Sequence, residues 1–152
     1  LVLMNFDGEL VFGKERTGDA AFCIHSEIYK SREDIRSIAH AHPMYGKTFS
    51  ALGKELLPIS QDSCAFYERT AMFNDYDGVA NGPDEGINIA KALADKDFVI
   101  LQNHGILTTG SMVDTTVWYF LNMEEACKSQ LLAEAVGEPI AIPHETACST
   151  RD

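Results

Sequence analysis

The chain has 152 residues, 45% of them hydrophobic, enough for one domain with a buried core and too apolar for a disordered tail. Twelve Lys and Arg against 23 Asp and Glu leave a formal charge of -11, which opposes phosphate backbones and anionic membrane surfaces, so nucleic acid is not an expected partner. No apolar run approaches the roughly 20 residues that span a bilayer, and no basic stretch precedes an apolar signal region, so a soluble protein without membrane insertion is expected.

In chain order, Leu1 to Phe6 and Leu10 to Phe12 flank an Asp7-Gly8 turn and read as a hairpin. The chain opens directly in the apolar run Leu1 to Met4, with no initiator Met and no helix before it, as a fragment lacking its N-terminal part would. Thr17 or Asp19 is placed to cap a helix over 20–30, whose Ala21, Ile24 and Ile28 share one face, as in a helix packed on a sheet. Arg36 to His42 is short and stops at Pro43, which predicts a strand. Met44 to Leu52 reads as a helix closed by Gly53, Leu56 to Ile59 as a short strand, and Asn74 to Gly82 as a loop.

Pro83, with Asp84 and Glu85 beside it, opens a second amphipathic helix carrying Ile87, Ala90 and Leu93. Phe98 to Leu101 and Ile106 to Thr108 are β-prone runs broken by Asn103-His104-Gly105, and a long helix runs from about Val113 to Val136, stopped by Gly137 and Pro139. Strands and helices alternate with no Gly-rich nucleotide-binding fingerprint, so an α/β layered domain over 1–137 is expected, followed by an irregular tail over 138–152. Cys23, Cys64, Cys127 and Cys148 lie far apart with no C-x-x-C pair, which fits reduced thiols and a cytoplasmic setting.

The chemistry-bearing pattern is in the histidines. His40 and His42, two apart on a strand, point to the same face, and His104 sits in a tight break where a ring can be aimed at a point. Three neutral imidazoles with one coordination position left open suit zinc or another divalent metal. An H-x-H pair alone is a weak signal; its combination with a third His about sixty residues on is stronger.

Ile24-His25-Ser26, Arg32-Glu33-Asp34, His40-Ala41-His42-Pro43 and Gln102-Asn103-His104-Gly105 occur in the order and at the spacing of the class II aldolase and adducin family, and most closely resemble its adducin-like branch. The resemblance implies a three-layer α/β/α sandwich that lacks its N-terminal part, and a zinc ion held by His40, His42 and His104. It also implies a homo-oligomer, often a tetramer, with the metal site near a subunit boundary. His25 matches a helical histidine that is not a ligand in the family, and His144, in the tail, reads as a solvent residue.

In sugar-phosphate aldolases of this family a helical Glu acts as acid or base; the matching position here is Ala21, and Glu27 is more than one and a half turns away. Their phosphate-binding Gly-Asn-Ser type loop lies ahead of the point where this chain begins. Asp62 and Tyr67, which follow the histidine strand, are the candidates for proton transfer, while nothing near Cys64 identifies a base that would make it a nucleophile. Two readings result. One is a metal-dependent carbon–carbon lyase, decarboxylase or epimerase acting on a small hydroxy-carbonyl or sugar-derived compound; the other is a non-catalytic adducin-like module for oligomerisation or binding to the actin cytoskeleton.

Overall fold

The computed structural model describes residues 1–15, 18–75, 78 and 83–152. They fall into two compact units, Leu1–Glu33 with Asp77–Lys91, and Asp34–Tyr76 with Ala92–Asp152.

In the first unit, β1 (Leu3–Met4) pairs antiparallel with β2 (Leu10–Phe12). The expected Asp7-Gly8 turn closes because the Asn5 side-chain oxygen accepts hydrogen bonds from the Asp7 and Glu9 N–H groups, while Gly8 takes φ 83°, a conformation a side chain would resist. Helix α1 (Asp19–Ser31) buries Ile24, Ser26 and Ile28. It starts after Gly18 without a side-chain cap, so Asp19 lies in the first turn; Thr17 is outside the described residues. Asp19 in that turn still complements the positive helix end.

The second unit holds a four-stranded sheet in the order β3 (Ser37–Ala41), β6 (Gly105–Gly110), β5 (Phe98–Leu101), β4 (Thr70–Phe73). β3–β6 and β6–β5 are antiparallel, and β5–β4 is parallel. All four residues of β5 are fully buried, so both its faces are out of water, which explains the unbroken apolar run Phe-Val-Ile-Leu. Helix α2 (Met44–Ser50) and the long helix α4 (Val113–Val136) pack on one another and on β6. Phe49, Phe66, Phe98, Ile100, Ile106, Met123 and Cys127 form the core between them. Burial pushes the Cys127 thiol up to about 12, helped by the negative charge of Glu124, so it remains a protonated core group.

The α/β class with a central sheet agrees with the sequence-based expectation. Helix α3 (Pro83–Leu93) opens at the expected proline, and the ends of α4 agree with the sequence reading. Two local expectations fail and one strand is new. Leu56 to Ile59 forms no strand, because its polar backbone is satisfied by side chains and by the C-terminal segment. The buried Gln130 accepts from Leu57 N–H at 2.8 Å and donates to the Glu55 carbonyl at 3.2 Å, and Ile142 N–H donates to the Pro58 carbonyl. The strand β4 was not anticipated. Nor was α5 (His144–Arg151), which lies inside the stretch expected to be irregular. The Asn74–Gly82 loop lies largely outside the described residues. No helix among the described residues is long and apolar enough to cross a membrane.

Candidate metal centre

β3 delivers His40 and, one step beyond its last residue, His42. The β5–β6 connection delivers His104. That connection is a three-residue turn between Leu101 and Gly105, closed by a His104 N–H bond to the Leu101 carbonyl at 3.0 Å, with Asn103 in the left-handed region at φ 57°. Asn tolerates that conformation better than most residues, which is why an Asn-His-Gly break could form a tight turn. Gly105 has a different reason to be glycine. A Cβ there would lie 2.5 Å from the Ala41 carbonyl oxygen and 3.1 Å from Cδ2 of His42. A side chain would push β6 off the end of β3 and into the His42 ring.

The three imidazoles meet. Ring centroids are 5.3 Å apart for His40 and His42, 4.9 Å for His40 and His104, and 4.6 Å for His42 and His104, all edge-on. One nitrogen from each lies within 4.8 Å of the other two. Around a single ion at ~2.0–2.1 Å such nitrogens are about 3.4 Å apart, so small rotamer adjustments close the set. His40 Nδ1 is 3.0 Å from the Ile106 carbonyl oxygen, which can only accept; Nδ1 therefore carries the proton and Nε2 is left with its lone pair. Burial, and then the nearby His42, lower the His104 pKa below its ordinary value, favouring the neutral ring that can donate a lone pair.

A residue that sequence reasoning missed positions this end of the sheet. Glu124, halfway along α4, accepts hydrogen bonds from Tyr45 N–H at 2.9 Å and Gly46 N–H at 2.6 Å. Helix α2 begins immediately after His42-Pro43 and has no side-chain cap of its own, so a carboxylate from a distant helix performs the capping. The available signal was an acidic residue between Met123 and Cys127 on the apolar stripe of α4.

Asp62 and Tyr67 are not brought to the histidines of their own chain. Thr70 pairs with Phe98 and Phe73 with Leu101, so the His104 turn lies at the Phe73 end of β4, and Tyr67 precedes the opposite end. A strand of that length separates them by roughly 10 Å. The Tyr67 hydroxyl is instead 3.1 Å from His144 Nδ1, and Asp62 is exposed at the start of a 3₁₀ helix, Asp62–Phe66. Cys64 is buried, with its thiol 3.4 Å from the Ser60 carbonyl and its pKa raised by burial, as an inert core thiol would be. In the other unit, Ala21 is exposed on α1, and Glu27 pairs with Lys30 at 2.7 Å.

Residues 1–131 match the family model of the class II aldolase and adducin N-terminal domain. Decarboxylase NovR from Streptomyces niveus is 40% identical over 148 residues, covering 95% of this chain and 55% of NovR. Alpha-adducin from Rattus norvegicus is 37% identical over 143 residues, covering 90% of this chain and 19% of the adducin. The structure of L-fuculose 1-phosphate aldolase from Glaciozyma antarctica PI12 superposes with a TM-score of 0.89 at 41% identity, covering 99% of this chain and 58% of that one. The chain belongs to the class II aldolase and adducin family, and it spans about half the length of NovR.

Proposed function

We propose that His40, His42 and His104 hold one divalent metal ion, zinc being the expected one, and that this domain serves a metal-dependent lyase, decarboxylase or epimerase acting on a small hydroxy-carbonyl or sugar-derived compound. The observation that carries this reading is the convergence of three imidazoles from two separate chain segments. Such a donor set suits zinc chemistry with an open position, and the ion would supply Lewis-acid polarisation of a substrate oxygen. The chain's own part is orientation. The Ile106 carbonyl fixes the His40 tautomer, the Gly105 backbone leaves room for the His42 ring, and Glu124 holds the start of α2 beside the ligand strand.

Names such as decarboxylase and aldolase among the relatives support enzymatic carbon–carbon chemistry, but differ among themselves and select no substrate. We propose that a homo-oligomer, tetrameric in our reading, completes each site with a proton-transferring group from a neighbouring copy; Asp62 stays a candidate for that role, whereas Tyr67 is engaged with His144 at the far end of its own sheet. The matching position of the family's helical Glu is Ala21, so this chain needs such a substitute. A cytoplasmic setting follows from the reading of its thiols as reduced.

The test is metal content by elemental analysis of the purified protein, with turnover of a panel of sugar acids and aldoses by wild type and His104→Ala. His104→Ala is expected to lose one ion per chain relative to wild type, and turnover with it; unchanged metal content or unchanged turnover in His104→Ala would overturn the reading. The second reading, a non-catalytic adducin-like module that oligomerises or binds actin, is favoured by the likeness to alpha-adducin and by Ala21. Actin co-sedimentation of a protein that turns over none of the panel would establish it.

A further inference from the structure

A second cluster of donor atoms lies in the same unit, away from the three histidines. We propose that Glu68, His144 and Cys148 form a separate zinc-class metal site that clips α5 to the turn ahead of β4. His144 and Cys148 are four apart on α5 and so share one face. Glu68 comes from the turn that follows the 3₁₀ helix, held at φ 59°, a left-handed conformation unusual for a residue with a side chain.

The donor atoms lie slightly wider apart than in a closed metal polyhedron, a gap that small rotamer adjustments close. Cys148 Sγ is 3.7 Å from Glu68 Oε2 and 3.9 Å from His144 Nε2, and one donor atom from each of the three residues lies within 4.8 Å of the other two. A tetrahedral zinc with sulfur at ~2.3 Å and nitrogen or oxygen at ~2.0–2.1 Å separates its donors by about 3.3–3.6 Å. Thiolate, imidazole and carboxylate together are a zinc donor set, and the fourth position is open to water, because the Glu68 and His144 side chains are 47% and 63% exposed. With Nε2 turned to the metal, the Tyr67 hydroxyl, 3.1 Å from His144 Nδ1, holds the other ring nitrogen and orients the ring.

Arg151 also reaches this cluster, with Nη1 3.3 Å from Glu68 Oε2, but its closer partner is Asp152, whose Oδ1 is 2.8 Å from Nε. It can remain paired when Glu68 turns to a metal. The site differs from the histidine cluster in one decisive respect: it contains sulfur.

Cobalt(II) titration of the full chain tests the proposal, because thiolate ligation produces a near-ultraviolet charge-transfer band that a three-imidazole site lacks. Wild type is expected to show this band, and Cys148→Ser to lose it together with one equivalent of bound cobalt. His104→Ala should retain the band, which separates this site from the one under Proposed function. Should Cys148→Ser fail to fold by circular dichroism, Glu68→Gln, which leaves the thiol in place, is expected to need roughly tenfold more cobalt to develop the band. Absence of the band in wild type at saturating cobalt, its persistence in folded Cys148→Ser, or an unshifted titration in Glu68→Gln would each overturn the proposal.

Discussion

Replacing Glu124 with Ala tests whether the histidine end of the sheet is held from outside its own segment. The substitution removes two charge-assisted hydrogen bonds, at 2.9 and 2.6 Å, to the N–H groups of Tyr45 and Gly46, and leaves both donors at the start of α2 without the carboxylate. Bonds to a charged group contribute about 1.5–3 kcal/mol each, and because the site is half-buried and water can partly replace the carboxylate, the lower end applies, giving a loss of about 3 kcal/mol. At roughly 2–4 °C per kcal/mol for a chain of this size, the midpoint of thermal unfolding should fall by about 6–12 °C. Glu124→Gln keeps one acceptor but turns a donor toward the other N–H, so it should lose at least half as much. Urea unfolding followed by circular dichroism gives the free energies, and zinc titration of the folded variant should show weakened binding, because α2 starts directly after His42-Pro43. A Glu124→Ala protein within about 0.5 kcal/mol of wild type and with unchanged zinc affinity would refute the idea that this carboxylate anchors the site.

Gly105→Ala places a Cβ 2.5 Å from the Ala41 carbonyl, and the overpacking should cost about 1–3 kcal/mol in chemical denaturation and lower zinc affinity by displacing the His42 ring. Gln130→Leu, which keeps the volume but strands Leu57 N–H and the Glu55 carbonyl, should cost about 1–3 kcal/mol on the same measurement, with loss of protease resistance around 55–58. His25 has its pKa lowered by burial from the ordinary 6.5, so below that value the unfolded chain binds a proton the folded chain refuses. Its contribution is therefore present above 6.5 and is lost as pH falls through the lower folded value; His25→Gln should flatten the decline in unfolding free energy as pH falls below 6.5, relative to wild type.

Much of the architecture was legible in residue order because local chemistry and tertiary context agreed. The Asp7-Gly8 turn, Pro83 at a helix start, Gly137 at the end of α4 and the apolar Phe98-Val99-Ile100-Leu101 run each carry a local signal that nothing distant contradicts. The meeting of His40, His42 and His104 was anticipated partly from strand periodicity and the tight Asn-His-Gly turn, and chiefly from resemblance to a family. Only the antiparallel register of β3 with β6 brings the rings within reach, since sixty-two residues separate His42 from His104.

Elsewhere distant partners decided the outcome. Thr70-Ala71-Met72-Phe73 is too short to show an alternating pattern and becomes β4 because β5 offers it a parallel edge. His144 to Arg151 is too polar to announce a helix, yet Ala147 is fully buried and Arg151 reaches the Tyr67 carbonyl. The placement of Asp62 and Tyr67 at the far end of the sheet, and the capping of α2 by Glu124, likewise follow from strand direction and helix packing. Turns, caps and periodic faces are written within a few residues of one another and can be read in order; contacts between segments tens of residues apart depend on register and packing, which only the folded chain specifies.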